Sequence, residues 1–281
     1  MRNKMMEAGR RSALTLLAGA LAVALPMSAG AQDFTTTDDR LTTPGVLTVG
    51  TGDPVYPPWM LNNDPAGGEG FENGLVYALA AEMGFEADQV VWIAQTFDQA
   101  IAPGTKPYDF AIQQISVTEP RKEIVSFSQV YFQPDKAVIA LPGTNAETAT
   151  SFADLKELRW GAVIGTTDND YLVNILGIEE AAIYNEQVDV FQALQAGQID
   201  ATLAALPTAL FMTAVQVPEA NIVALLPADE NDNGHGLLFE FENPLVPAVD
   251  EALGALIERG VVDELIATYL VADPDLPIIS E

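Results

Sequence analysis

The sequence predicts an α/β protein built from two similar lobes with a cleft between them. Short apolar strands alternate with helices in the first half of the chain, and the same alternation restarts after Pro142. An internal echo supports the division, because residues 97–112 (FDQAIAPGTKPYDFAI) and 191–204 (FQALQAGQIDATLA) both predict a helix, a Gly stop and a buried strand. Such alternation favours α/β lobes, and ligands of these folds bind at the strand-to-helix turns.

The first half contains three predicted strands and one strongly patterned helix. The strands are residues 46–50 (VLTVG), 90–94 (VVWIA) and 108–113 (YDFAIQ). The helix covers residues 72–84, where apolar side chains recur at helical spacing and Gly84 supplies the stop.

The second half repeats this order and then closes with another helix. Predicted strands at 159–165, 181–185 and 199–206 alternate with helices that begin at 166 and 188. The closing helix has one apolar face, and Arg259 and Gly260 suit its last turn and its C-cap.

Residues 1–31 have the three parts of a secretory signal peptide. Four basic residues precede an apolar run at 14–25, and the small residues at 29–31 predict cleavage before Gln32. The apolar run is too short to span a bilayer. The chain contains no Cys, so we expect neither disulfides nor a lipid anchor, and a product that is free in the periplasm. General and twin-arginine export both remain open.

The charge of the chain excludes some classes of partner. It has 12 Lys and Arg against 40 Asp and Glu, a formal net charge of −28. Nucleic acids and anionic membrane surfaces bind basic footprints, so neither is an expected partner.

Five segments in the same order resemble the periplasmic solute-binding proteins of the polar amino acid type, which serve ABC importers. The segments are LTVGTGDPVYPPWM, GEGFENGLVYALAAEMG, QQISVTEPRKEIVSFSQVYF, SFADLKELRWGAVIGTTDNDY and FQALQAGQIDATLA, and the resemblance covers about residues 45–270. It implies the type II periplasmic binding protein fold, in which two crossing strands join the lobes. The implied domains are lobe 1 at 45–138, lobe 2 at 139–234, a return to lobe 1 at 235–270 and a C-terminal tail at 271–281.

Arg121 is the residue for which the resemblance implies a ligand clamp. Its planar guanidinium matches a carboxylate in two-point geometry and stays protonated. From spacing alone, a surface ion pair with Glu119 or Glu123 is an equal alternative.

Other site residues follow from the same matching of motifs. Ser116 falls at a hydroxyl that helps to bind the ligand, and Gln114 falls where many members have Gly. Thr166 and Thr167 precede a helix whose free N–H groups suit an anion. Thr167 with Asp170 also fits a variant capping box, and the two interpretations are compatible.

Three aromatic residues match positions that sandwich the ligand in the family. Tyr56 and Phe97 are expected ligand walls, whereas Trp59 is equally compatible with packing under the Pro57-Pro58 turn. Glu72 is expected to favour its helix N-terminus and not to contact the ligand.

One position departs from the family pattern. Amino acid binders usually carry an Asp for the α-ammonium of the ligand, and the matching residue here is Ala205. Asp53 and Asp168 are candidate replacements. The alternative is a zwitterion without a primary ammonium, held by aromatic faces.

The stretch 229–240 carries two further features. His235 is the only histidine. An ordinary surface or satisfied side chain is the favoured interpretation, and a place in the cleft wall near the hinge is the alternative. The oxygens of Asp229–Glu240 also fit the spacing of a calcium loop, but no helices are predicted on either side, so we expect no metal. No pattern predicts a cofactor.

The expected function is a monomeric binding protein that closes on a small carboxylate or zwitterion and delivers it to an ABC permease. One alternative is a dehydratase for cyclohexadienyl acids on the same scaffold, with Asp53, Glu72 or His235 as acid or base. A second is an accessory protein that no longer takes part in transport.

Overall fold

The computed structural model describes residues 34–270 and 276–280, and the predicted signal peptide at 1–31 lies outside them. In these described ranges ten strands form two sheets: β1 (Leu47–Thr51), β2 (Val90–Ala94), β3 (Phe110–Ala111), β4 (Ser126–Phe132), β5 (Lys136–Ala140), β6 (Trp160–Val163), β7 (Ala182–Tyr184), β8 (Ala201–Ala205), β9 (Asn221–Leu226) and β10 (His235–Phe239).

Nine α-helices accompany the strands within the described residues. They are α1 (Phe71–Glu82), α2 (Phe97–Ile101), α3 (Glu119–Lys122), α4 (Phe152–Leu155), α5 (Thr167–Asp170), α6 (Gln187–Gln195), α7 (Leu206–Phe211), α8 (Val246–Glu258) and α9 (Val261–Tyr269). None of the helices in this part of the chain has the length and apolarity needed to cross a bilayer.

Lobe 1 is built on a five-stranded sheet in the order β2-β1-β3-β10-β4. β1 pairs in parallel with β2 and β3, and β10 runs antiparallel between β3 and β4. The apolar faces of α1 and α8 bury Leu75, Leu79, Val249 and Leu253 against this sheet. Lobe 1 therefore has a core of its own.

Lobe 2 repeats this plan with the order β7-β6-β8-β5-β9. Its sheet is covered on both faces, by one cluster around Trp160 and Tyr171 and by another around Phe191 and Leu194 of α6. The prediction of an α/β protein with two lobes is confirmed, and the strand order shows why the lobes are alike.

Two crossovers join the lobes. The first is residues 133–135 between β4 and β5, and the second is residues 227–234 between β9 and β10. The first crossover precedes the predicted boundary at 138, because Lys136–Ala140 is one continuous strand of the second sheet. From the C-terminal tail, Ile278 bridges to Leu225 and Ile279 is buried in the lobe 2 core.

One glycine brings the Trp59 turn onto the start of α1. Gly70 has a φ of 121°, and a Cβ at this position would lie 2.4 Å from the Trp59 carbonyl oxygen. Only glycine fits this backbone conformation and this close approach. The turn and the helix start are thereby held together beside the cleft.

Candidate functional site

A cavity of about 220 Å³ lies between the two lobes. All nine residues selected from the sequence line it: Asp53, Tyr56, Trp59, Phe97, Gln114, Ser116, Arg121, Thr166 and Thr167. They come from both lobes, so the cavity exists only where the lobes meet.

Arg121 is buried at the floor of this cavity, with 7% of its surface exposed. The short helix α3 places it, because the Thr118 hydroxyl caps the helix by accepting from the Arg121 N–H at 3.3 Å. Nη1 donates to the Ser116 carbonyl oxygen at 2.6 Å, and Nη2 donates across the cleft to the Gly165 carbonyl oxygen at 2.8 Å. The guanidinium carbon lies 5.4 Å from the centre of the Phe97 ring.

The surface ion pair that spacing allowed for Arg121 is not formed. Glu119 pairs with Lys122 instead, at 2.8 Å. Burial lowers the pKa of Arg121, and the nearby Asp232, Asp170 and Asp168 oppose that shift. Because the ordinary pKa of arginine exceeds 12, the buried side chain remains a cation. It has five N–H donors, of which the hydrogen bonds among the described residues use two.

The lobe 2 wall is the turn at Gly165, Thr166 and Thr167. Gly165 takes a φ of +72°, which aims its carbonyl at Arg121. The helix cap is Thr166 and not Thr167: its hydroxyl accepts from the Asn169 N–H at 3.2 Å. The predicted Thr167–Asp170 capping pair was therefore wrong by one residue. Thr167 is left free to face lobe 1, where its hydroxyl oxygen lies 3.2 Å from that of Ser116.

Asp232, in the second crossover, is a cavity residue that the sequence analysis did not select. Its Oδ2 accepts from the Ser116 hydroxyl at 3.0 Å and its Oδ1 accepts from the Gly234 N–H at 3.0 Å. Burial raises the pKa of this carboxyl, but hydrogen bonds from Thr167 and Gly234 and the charge of Lys136 outweigh burial, so the net shift is downward. In the sequence, the only indication that Asp232 lies at the cavity was its position shortly before the strand that returns to lobe 1.

Two aromatic residues of lobe 1 contact lobe 2. The Tyr56 ring lies 5.7 Å from that of Phe191 and 6.5 Å from that of Phe211. Trp59 is 1% exposed, and its indole N–H donates to the Thr208 hydroxyl at 2.8 Å. Trp59 thus combines a core position with a contact between the lobes.

Gln114 forms part of the floor and is tied to a buried acid below it. It adopts a φ of 51°, and its backbone N–H donates to Oε1 of Glu72 at 2.8 Å. Its side-chain amide and the Tyr131 hydroxyl donate to the same carboxyl group. Burial raises the pKa of Glu72 to about 7, against the lowering effect of these hydrogen bonds. Glu72 does not line the cavity.

The position that departs from the family pattern faces a cation. Ala205 lies directly opposite Lys136 in the antiparallel pair of β5 and β8. Lys136 forms an ion pair with Asp168 and lies 5.7 Å from the Tyr171 ring. Of the two replacements considered for the missing Asp, Asp168 is engaged with this lysine and Asp53 is exposed.

The cavity as a whole is acidic. Two cations, Arg121 and Lys136, face six carboxyl groups, which are Asp53, Asp135, Asp168, Glu186, Asp229 and Asp232. This balance disfavours ligands with several negative charges and favours ligands that carry a positive group.

His235 is buried among aromatic rings, with its ring centre 5.5 Å from that of Trp59. Burial lowers its pKa to about 4. The calcium-like stretch around it runs from the end of β9 into β10, so strands and not helices flank it. Within the described residues, no group of three or more His, Asp and Glu is arranged to hold a metal ion.

Comparison with known proteins identifies the family. Residues 47–272 match the model of the bacterial extracellular solute-binding proteins, family 3. The chain belongs to this family. As a member it is a solute-binding protein with the type II periplasmic binding protein fold, and not an enzyme.

Its relatives cover most of the chain at modest identity. The L-cystine-binding protein TcyJ of Escherichia coli (strain K12) is 25% identical over 272 residues, which is 96% of this chain and 98% of that protein. An arginine-binding periplasmic protein of Mannheimia haemolytica is 30% identical over 156 residues, 55% of this chain and 61% of its own. The structure of an ancestral arginine-binding protein bound to arginine superposes with a TM-score of 0.67 at 25% identity, covering 81% of this chain and 99% of that one.

Proposed function

We propose that this protein captures an amino acid in the periplasm and delivers it to an ABC importer. The observation that carries the proposal is the buried Arg121, whose guanidinium lies in the cavity between the lobes with N–H donors to spare. A carboxylate is the ligand that a fixed, planar and permanently charged guanidinium recognises best.

The size and the charge of the cavity support this ligand class. Its volume of about 220 Å³ is below the roughly 300–1,000 Å³ typical of sites for larger ligands. Its surplus of carboxyl groups favours a ligand that is also a cation. The relatives named for cystine and arginine bind amino acids, which meet both conditions.

Contacts between the lobes support capture by closure. Arg121 reaches the Gly165 carbonyl, Ser116 meets Thr167, and the Trp59 indole donates to Thr208. A ligand that contacts both lobes favours the closed state by its extra affinity for that state. The crossovers at 133–135 and 227–234 are the hinge about which the lobes move.

The proposed setting follows from the family and from the N-terminal segment. We assign residues 1–31 as a cleaved signal peptide, the mature chain as a monomer without a lipid anchor, and an inner-membrane permease as its partner. N-terminal sequencing of the protein recovered from the periplasm tests the cleavage before Gln32.

Thermal unfolding of the exported protein tests the ligand class. The panel contains the common L-amino acids, L-cystine, glycine betaine and simple dicarboxylates. A ligand at one hundred times its dissociation constant adds about 2.7 kcal/mol of stability, which raises the melting temperature measurably. The proposal predicts such a rise with at least one amino acid. A rise with dicarboxylates alone, or with no compound, would contradict it.

A further inference from the structure

Two opposite charges face the same cavity without an ion partner. The ion pairs among the described residues include neither Arg121 nor Asp232. Arg121 is compensated by two carbonyl oxygens, and Asp232 by two hydroxyls and one backbone N–H. Charges that are buried without an ion partner are costly in a binding protein unless a ligand completes them.

Ser116 holds the two charges next to each other. Its carbonyl oxygen accepts from Arg121, and its hydroxyl donates to Asp232. The two charged groups are therefore neighbours separated by one residue, and yet they do not form an ion pair with each other. In an α-amino acid, the carboxylate and the ammonium are attached to the same carbon atom. A ligand bound beside Ser116 is therefore offered a cation for its carboxylate and an anion for its ammonium.

We propose that Asp232 accepts the α-ammonium of an amino acid whose carboxylate is bound by Arg121. The second crossover thus supplies the counter-ion that Ala205 does not. This inference rests on the proposed function and narrows it to ligands with an ammonium that donates hydrogen bonds, in place of quaternary zwitterions.

Two other acids of the cavity, Asp168 and Asp53, are less suited to this role. Asp168 is neutralised by Lys136, whose strand position also places a cation opposite Ala205. Asp53 is exposed, whereas Asp232 is half-buried and preorganised by three donors. The downward pKa shift of Asp232 agrees with a carboxylate that is ionised when the ligand arrives.

Asp232→Asn is the variant that tests the inference, because it removes the charge and retains the shape. Its amide oxygen still accepts from the Gly234 N–H, and its amide nitrogen is able to donate to the Ser116 hydroxyl. Glu230→Gln is the matched control, because Glu230 is exposed in the same crossover and does not line the cavity.

The probes are the tightest-binding amino acid of the panel and its analogue in which a hydroxyl replaces the α-ammonium. Titration calorimetry on the exported wild-type protein is expected to show a preference of about thirtyfold or more for the amino acid. Asp232→Asn abolishes that preference and leaves the affinity for the hydroxy analogue within about threefold, while Glu230→Gln retains the preference.

The outcomes separate the inference from the proposed function. If Asp232→Asn keeps the preference for the amino acid, the inference is wrong and the amino acid function stands. If the wild-type protein binds glycine betaine or the hydroxy analogue as tightly as the amino acid, the inference is also wrong. If no amino acid binds at all, both the proposed function and the inference are wrong.

Discussion

Arg121 and Glu72 are ionisable groups that lobe 1 buries beside the cleft, and they have opposite roles. Arg121 faces the cavity, and its charge is compensated by carbonyl oxygens of both lobes. Glu72 lies below the cavity floor, and its carboxyl group accepts from Gln114 and Tyr131. Burial raises the pKa of Glu72 to about 7, whereas arginine stays charged in spite of its lowered pKa.

The comparison shows that one buried ionisable group serves ligand binding, whereas the other supports a neighbouring part of the backbone. A buried charge that cannot be neutralised has to be satisfied by partners, and a ligand anion is one such partner. A buried acid that can take up a proton adapts instead, and here it secures the backbone of Gln114. Binding and pH dependence should therefore depend on different residues of one lobe.

Removing the guanidinium is expected to have the largest effect. Arg121→Ala should weaken amino acid binding by about a hundredfold or more, because a buried ligand carboxylate loses its charged partner. Arg121→Lys keeps the positive charge but lacks the planar two-point geometry, so the loss of amino acid affinity should be intermediate. Titration calorimetry measures both variants, with thermal unfolding as the check that they are folded. If Arg121→Ala binds the amino acid with an affinity within about threefold of wild type, Arg121 is not the residue that binds the ligand carboxylate.

Removing the buried acid should change the pH dependence of stability and leave ligand affinity nearly unchanged. The pKa of Glu72 is about 7 in the folded protein against an ordinary 4.5, so the folded state holds a proton that the unfolded state has already lost. Stability therefore falls as pH rises through this window, by on the order of 3 kcal/mol. Glu72→Gln does not titrate and should lack this decline.

Chemical denaturation at about pH 5 and about pH 8 measures the effect of Glu72. His235 contributes in the opposite direction in both proteins. Its pKa is about 4 when folded against an ordinary 6.5, so its contribution is lost as pH falls through that range. The difference between wild type and variant therefore isolates Glu72. Parallel pH profiles would contradict the assignment.

The contact between the lobes at Trp59 should have a smaller effect on binding than Arg121, because it carries no charge. Trp59→Phe removes the hydrogen bond to Thr208 and keeps most of the ring packing. A loss of about 1 kcal/mol of closed-state stability weakens ligand affinity about fivefold. Thr208→Val removes the same bond from the other lobe, and combining both substitutions should cost little more than one of them. Additive losses in calorimetry would show that the bond does not couple the lobes.

The smallest effect is expected at the position that departs from the family pattern. In Ala205→Asp, the new carboxylate lies opposite Lys136 and competes with Asp168 for that ammonium. Amino acid affinity should change by less than about threefold, because the partner of the new carboxylate is Lys136 and not the ligand ammonium. A rise of tenfold or more would place the ammonium site at residue 205 and not at Asp232.

Much of this architecture could be predicted from the sequence, because its signals are local. Alternating apolar strands and helices indicate an α/β protein, and the Thr118–Arg121 turn is a motif within four residues. The nine selected residues lie in short motifs that follow strand ends, and the topology brings those ends to one cavity.

The remaining features depend on segments that are distant in the chain. Asp232 reaches Ser116 over 116 positions, and Trp59 reaches Thr208 over 149. The sequence around Asp232 matches the spacing of a calcium loop. That match directed attention to a metal site and not to a place for Asp232 in the cavity. Likewise, the partner of Lys136 became apparent only from the register of β5 against β8.

The most direct measurement is a crystal structure of the exported protein with the tightest-binding amino acid of the panel. The account predicts closed lobes, with a ligand carboxylate oxygen about 2.7–2.9 Å from the Arg121 guanidinium nitrogens. A ligand bound elsewhere, or bound in the cleft with its carboxylate away from Arg121, would contradict it.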